Sequence, residues 1–168
     1  MVLSLKKIFI SEGESENFSA VLNMSNVKTL LDDPIKNPVS IDGSLRNSAG
    51  VVTLSYNLST VLKANCARCF EEVSFPFKRN FEHIIVKDLS LEDDEAELIL
   101  SENDELDMDA LVASDLILTL PSRFLCSEDC KGLCSVCGCN KNKKNCSCKI
   151  EEIDLSKKLS KLSELLKS

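Results

Sequence analysis

This chain has no Trp, one His, one Tyr and an aromatic share of only 5%. Its core must therefore be built from aliphatic side chains. Four Pro and five Gly in 168 residues exclude collagen-like or low-complexity architectures. No apolar run approaches the roughly 18 residues that cross a bilayer. A secretory leader puts its charges first, then an apolar run, then a cleavage site. The opening MVLSLKKIFISEGES is instead broken by Lys6 and Lys7 and then turns polar. The expectation is a cytoplasmic protein with no membrane partner. Positive charge is also in short supply: 20 Lys and Arg against 27 Asp and Glu, a net charge of −7. A broadly basic nucleic-acid face is excluded, because neutralising phosphates takes clustered Lys and Arg; a local patch is not. Nucleophile–base pairs, phosphate-cradling loops and nucleotide fingerprints are all missing. His83 lies in a strand-like pattern and reads as an ordinary strand residue. These absences point away from an enzyme and from a small-molecule substrate.

Cysteine is what the chain has in excess. Nine Cys in a chain read as cytosolic are more readily ligands or reactive thiols than structural disulfides. They fall as Cys66-x-x-Cys69, Cys126-x3-Cys130, Cys134-x-x-Cys137, Cys139 and Cys146-x-Cys148. A C-x-x-C turn lets two thiolates on one tight backbone curl reach the same ion, and a Gly after the second Cys relieves the crowding. Cys134-Ser-Val-Cys137-Gly138 is such a knuckle, with Cys146 and Cys148 as its natural partners. Cys66, Cys69, Cys126 and Cys130 make a second possible set, so one or two zinc ions could be held and Cys139 would be spare. Cys130 and Cys134 are also close enough to share an ion with Cys137. Four thiolates on one dication leave about two negative charges. Lys131, Lys141, Lys143, Lys144 and Lys149 would offset them. A redox role for Cys66-Ala-Arg-Cys69 would require a helix N-terminus at the first Cys, and strands flank it on both sides.

Between these thiols the chain reads as strands followed by a helix. Val52, Leu54, Tyr56, Leu58, Leu62 and Ala64 recur at period two, the signature of a half-buried strand. Val39–Leu45 precedes it across a turn at 47–50, and Val73–Val86 follows it, with Pro76 suited to an edge or a bulge. Asn17–Met24 reads as a looser strand, and Ile8–Ile10 as the close of a first one. Residues 88–109 carry eleven carboxylates and read as a solvated connection. Asp107 then caps a helix to Leu120, with Leu111, Val112, Leu116, Ile117 and Leu120 as its apolar stripe and Pro121 as its stop. Asp154 caps a second helix at the C-terminus. The expected fold is α+β: an antiparallel β-sheet body with one packed helix (1–121), then a Cys-rich zinc module ending in a helix (122–168). That module has little to bury, so metal would supply much of its folding free energy.

Cys66-Ala-Arg-Cys69, Leu118-Thr-Leu-Pro121, the run Cys126 to Asn140, Cys146-Ser-Cys148 and Asp154 together resemble the bacterial YceD family, large ribosomal RNA subunit accumulation proteins. The similarity covers roughly residues 38–168 and is most specific in CKGLCSVCGCN. It implies a non-catalytic ribosome-biogenesis factor that supports 23S rRNA accumulation and large-subunit assembly. Its partner would be precursor 23S rRNA or a large-subunit ribosomal protein. Direct RNA binding would fall to Arg68, Arg123, Lys131, Lys141, Lys143, Lys144 and Lys149 as phosphate contacts. An adaptor holding a basic ribosomal protein through the acidic segment is the competing reading, and a thiol redox protein the third.

Overall fold

The structure is a computed structural model and describes residues 1–27, 34–87, 98–101 and 103–148. Its centre is a five-stranded sheet in the order β2-β3-β4-β5-β6, formed by β2 (Ser15–Leu22), β3 (Val39–Ser48), β4 (Val51–Asn65), β5 (Glu72–Val86) and β6 (Leu98–Leu100). β2 to β5 pair antiparallel, and β6 joins β5 in parallel. A two-stranded sheet pairs β1 (Val2–Ser4) with β7 (Glu105–Asp107). Two helices, α1 (Lys6–Ile10) and α2 (Met108–Thr119), complete the α+β architecture of the described residues.

Alternation decides which face of β4 is dry. Val52, Leu54, Tyr56, Leu58 and Leu62 are all buried, as the period of two requires when one face meets a core. The β3–β4 turn is tight: Ala49 and Gly50 both adopt positive φ (52° and 82°), the conformation of a two-residue hairpin turn that matches strand twist. β4 and β5 then run together from Val52↔Ile85 to Asn65↔Glu72, carrying Cys66–Cys69 to their far end. Pro76 pairs with Val61, in a stretch of β5 to which β6 does not extend. Its missing N–H therefore breaks no outer ladder among the described residues.

Three expectations change. Ile8–Ile10 does not close a strand; it ends α1, whose Ile8 is buried while Ile10 is 82% exposed. The acidic connection is not wholly solvated. It contributes two short strands, Leu98–Leu100 against β5 and Glu105–Asp107 with Leu106 buried. The α2 stripe departs from the expected one at Ile117 alone, since Leu111, Val112, Leu116 and Leu120 all pack on the core. Asp107 caps it by accepting from the N–H groups of Asp109 and Ala110. Met108, Val112, Asp115 and Leu116 face inward, and Ile117 is exposed. The expected C-terminal helix from Asp154, and Lys149, lie outside the described residues.

Candidate metal centres

The hairpin end formed by β4 and β5 is a cysteine knuckle. The Cys66 N–H donates to the Glu71 carbonyl (2.8 Å), and the Phe70 N–H returns to the Cys66 carbonyl (2.9 Å). The same pair of bonds recurs further along the chain: Cys134 N–H to the Cys139 carbonyl (2.8 Å) and Gly138 N–H to the Cys134 carbonyl (2.9 Å). Two local sequences of unrelated flanks thus reach one geometry, because a C-x-x-C curl closes through the backbone of its first Cys and the two residues beyond its second.

Each knuckle meets a second pair of thiols. Cys66, Cys69, Cys126 and Cys130 form one group and Cys134, Cys137, Cys146 and Cys148 another, with all four Sγ atoms of a group within 4.8 Å of one another. Cys66 Sγ lies 3.8 Å from Cys130 Sγ, and Cys69 Sγ lies 3.6 Å from Cys126 Sγ. These separations are far too long for a disulfide. They match the edge of a tetrahedron, since four sulfurs each 2.3 Å from a common ion stand about 3.8 Å apart. All nine thiols are free. The donor set is uniformly soft and closed, which fits a structural metal ion and offers no position for a bound water. The sequence left open whether Cys130 shares an ion with Cys134 and Cys137; the fold puts it with the hairpin instead.

Backbone donors shape the thiols. Burial pushes Cys66 up, but N–H groups of Arg68, Cys126 and Cys69 outweigh it and bring it down to about 6. N–H groups of Cys137 and Val136, with the Cys146 thiol, bring Cys134 to about 6 as well. The spare Cys139 occupies in the second knuckle the place of Glu71 in the first, and contact with Cys137 pushes its thiol up to about 12.

The two centres are tied together. Leu133 N–H donates to the Arg68 carbonyl (3.1 Å). Asn142 accepts from Lys131 N–H (2.8 Å) through Oδ1 and donates to Cys130 Sγ (3.2 Å) through Nδ2. Gly132, at φ 69°, is held so close that a Cβ there would stand 2.9 Å from the Arg68 carbonyl oxygen. These contacts also sort the basic residues. The Arg68 guanidinium donates to the carbonyls of Glu128 (3.1 Å) and Cys130 (2.9 Å), and Lys143 pairs with Glu71. Lys131, Lys141 and Lys144 line a cavity of about 310 Å³ with Cys134, Cys146 and Cys148. Arg123 lies at a different cleft, beside Phe75 and Phe124.

One polar cluster was not anticipated from the sequence. The Tyr56 hydroxyl donates to Asp115 on α2, and His83 Nε2 stands 2.7 Å from the same carboxylate oxygen. His83 is therefore a partner in a buried polar network. Only its alternation with Phe81 on the face of Tyr56 could have hinted at this.

A long-stranded sheet whose open end is gathered by cysteine knuckles defines a cysteine-clasped α+β protein. The family model described as "Large ribosomal RNA subunit accumulation protein YceD" matches residues 54–166, more than half of the sequence, and the chain belongs to that family. The match begins inside β4 and takes in both thiol groups. The chain is also similar to the Arabidopsis thaliana protein named "Large ribosomal RNA subunit accumulation protein YCED homolog 1, chloroplastic", at 22% identity over 174 residues covering 86% of this chain and 54% of the relative. The chain thus spans about half the length of that relative. No solved structure matches it. Among the described residues, no helix is long and apolar enough to cross a membrane.

Proposed function

We propose that this chain is a non-catalytic factor in assembly of the large ribosomal subunit, acting in the cytoplasm, that takes hold of precursor 23S rRNA. In this reading two zinc ions give the thiol-rich part beyond Pro121 its shape and clamp it to the hairpin end. Family membership supports the process. The cavity lined by Lys131, Lys141 and Lys144 carries the RNA reading, since it concentrates positive charge in a chain of net charge −7. Phosphate contact falls first to these three lysines, because Arg68 and Lys143 already serve the knuckle. The closed four-thiol sets support zinc as a scaffold, with no role in a reaction.

The test is a filter-binding titration of a 23S rRNA transcript against salt. Each phosphate contact adds about 0.9 to the slope of log affinity on log salt for a duplex and about 0.7 for a single strand. The triple variant Lys131→Glu/Lys141→Glu/Lys144→Glu should lower that slope by about two units, and an unchanged slope removes the patch from consideration. Pull-down after RNase treatment addresses the competing adaptor: partners that survive point to a basic ribosomal protein. Native mass spectrometry of reduced protein should find two zinc ions, with eight thiols that react only after chelation. Metal-free protein with reversibly oxidised thiols would favour redox chemistry instead.

A further inference from the structure

The two knuckles are alike in backbone and differ in one side chain. The residue after the second Cys must turn through the left-handed region: Gly138 does so at φ 69° and Phe70 at φ 60°. Gly takes this conformation without penalty, whereas a bulky residue with positive φ is an outlier. The other non-Gly residues at positive φ among the described residues are Ala49, Asn103 and Asp104, all small or short and polar. Nor does packing call for an aromatic here. A Cβ at Gly138 would meet nothing within 4 Å, and Phe70 is 71% exposed. The core of the first thiol group is filled by Val73 and Leu125 instead. The fold thus holds a phenyl ring out in solvent at a strained position that glycine would fill more comfortably. Such an outlier is a reason to look for function.

The surroundings hold the turn beneath the ring still. Its backbone is locked by the Cys66 and Glu71 bonds, and the neighbouring Arg68 is fixed by two carbonyls. Lys143, paired with Glu71, puts a cation beside the next residue. An exposed aromatic on a braced turn is the arrangement that receives an unpaired base, whose π-face stacks on the ring. The segment that carries Lys131 is held to the same turn by the Leu133–Arg68 bond, so the phosphates are left to the lysines of the cavity. We propose that Phe70 is a stacking platform for an unpaired base of RNA. This rests on the RNA reading above and adds to it the single-stranded character of the target and the residue that meets it.

The absence of Trp from the chain makes a direct test possible. Phe70→Trp introduces a sole indole, whose emission a stacked base quenches. The expected result is quenching by a 23S rRNA transcript and none by inorganic polyphosphate, which has phosphates but no bases. Phe70→Gly should weaken binding of the transcript on the order of ten-fold while leaving the thermal midpoint unchanged or higher. If the transcript binds but the indole emission does not change, or Phe70→Gly binds as well as the parent, the stacking role is overturned and the lysine patch stands. If Phe70→Gly instead lowers the thermal midpoint, the ring is structural and the proposal falls. If the transcript does not bind the parent protein at all, the RNA reading fails and takes this inference with it.

Discussion

Tyr56 is the only tyrosine, and it is buried against the Asp115 carboxylate. Burial comes first, and the hydrogen bond and negative charge of Asp115 follow; all three hold its hydroxyl far above the ordinary value of 10. A group whose pKa is raised by folding contributes stability that is complete below its unfolded pKa and is lost as pH rises beyond it. In a chain with no Trp, absorbance at 295 nm should therefore stay flat through pH 10 and rise only as the protein unfolds. A free titration near pH 10 would show that the hydroxyl is not held. Asp115→Ala strands both the Tyr56 hydroxyl and His83 in the interior and should cost about 2–3 kcal/mol in a urea melt. Gly43 is constrained from the other side of the same strand pair. A Cβ there would lie 2.4 Å from the Ser55 carbonyl oxygen and 2.5 Å from Tyr56 Cβ. Gly43→Ala should destabilise by about 2 kcal/mol through overpacking. Backbone and a stem atom stand in the way, and neither can swing aside.

The elements differ in what holds them. β3, β4 and β5 share a continuous apolar core, whereas the hairpin end at Cys66–Cys69 closes on thiols from beyond α2. Cys66→Ser and Cys134→Ser should therefore behave differently. Each should remove one equivalent of metal by native mass spectrometry. Only Cys66→Ser should also loosen the sheet, seen as faster amide exchange near Asn65 and Glu72, because its group ties the long strands to the thiol-rich segment. Equal effects on those amides would mean that the second group braces the hairpin as well. The strands were legible beforehand because alternation in β4 is strict wherever one face is dry. α1 was not: in Lys6–Ile10 three apolar residues directly after a charged pair fit either period, and the choice was made by burying Leu5 and Ile8 in the core. In α2 the cap was legible at Asp107, and so was most of the apolar face, but not the burial of Asp115. A carboxylate at Asp115 reads as polar until a tyrosine and a histidine from two different strands are found waiting for it.

Taken whole, the molecule has a body that stands on apolar burial and an end that stands on its thiols. Chelation under reducing conditions should separate the two. Eight thiols should become reactive, while the near-ultraviolet dichroism of Tyr56 persists, because the core around it uses no cysteine. Loss of both signals together would make the metal a requirement of the entire fold.

Strand period, the helix cap, the knuckle spacing and the excess of acid over base are local properties, and the sequence alone was enough to establish them. Which thiols share a centre was decided only by the tertiary structure, because it depends on where β4 and β5 end and on how the chain returns after α2. The same holds for which lysines stay at the cavity and which turn to the knuckle. It holds too for Phe70, whose exposure at a turn built for glycine is a relation between backbone and surroundings and appears in no run of letters.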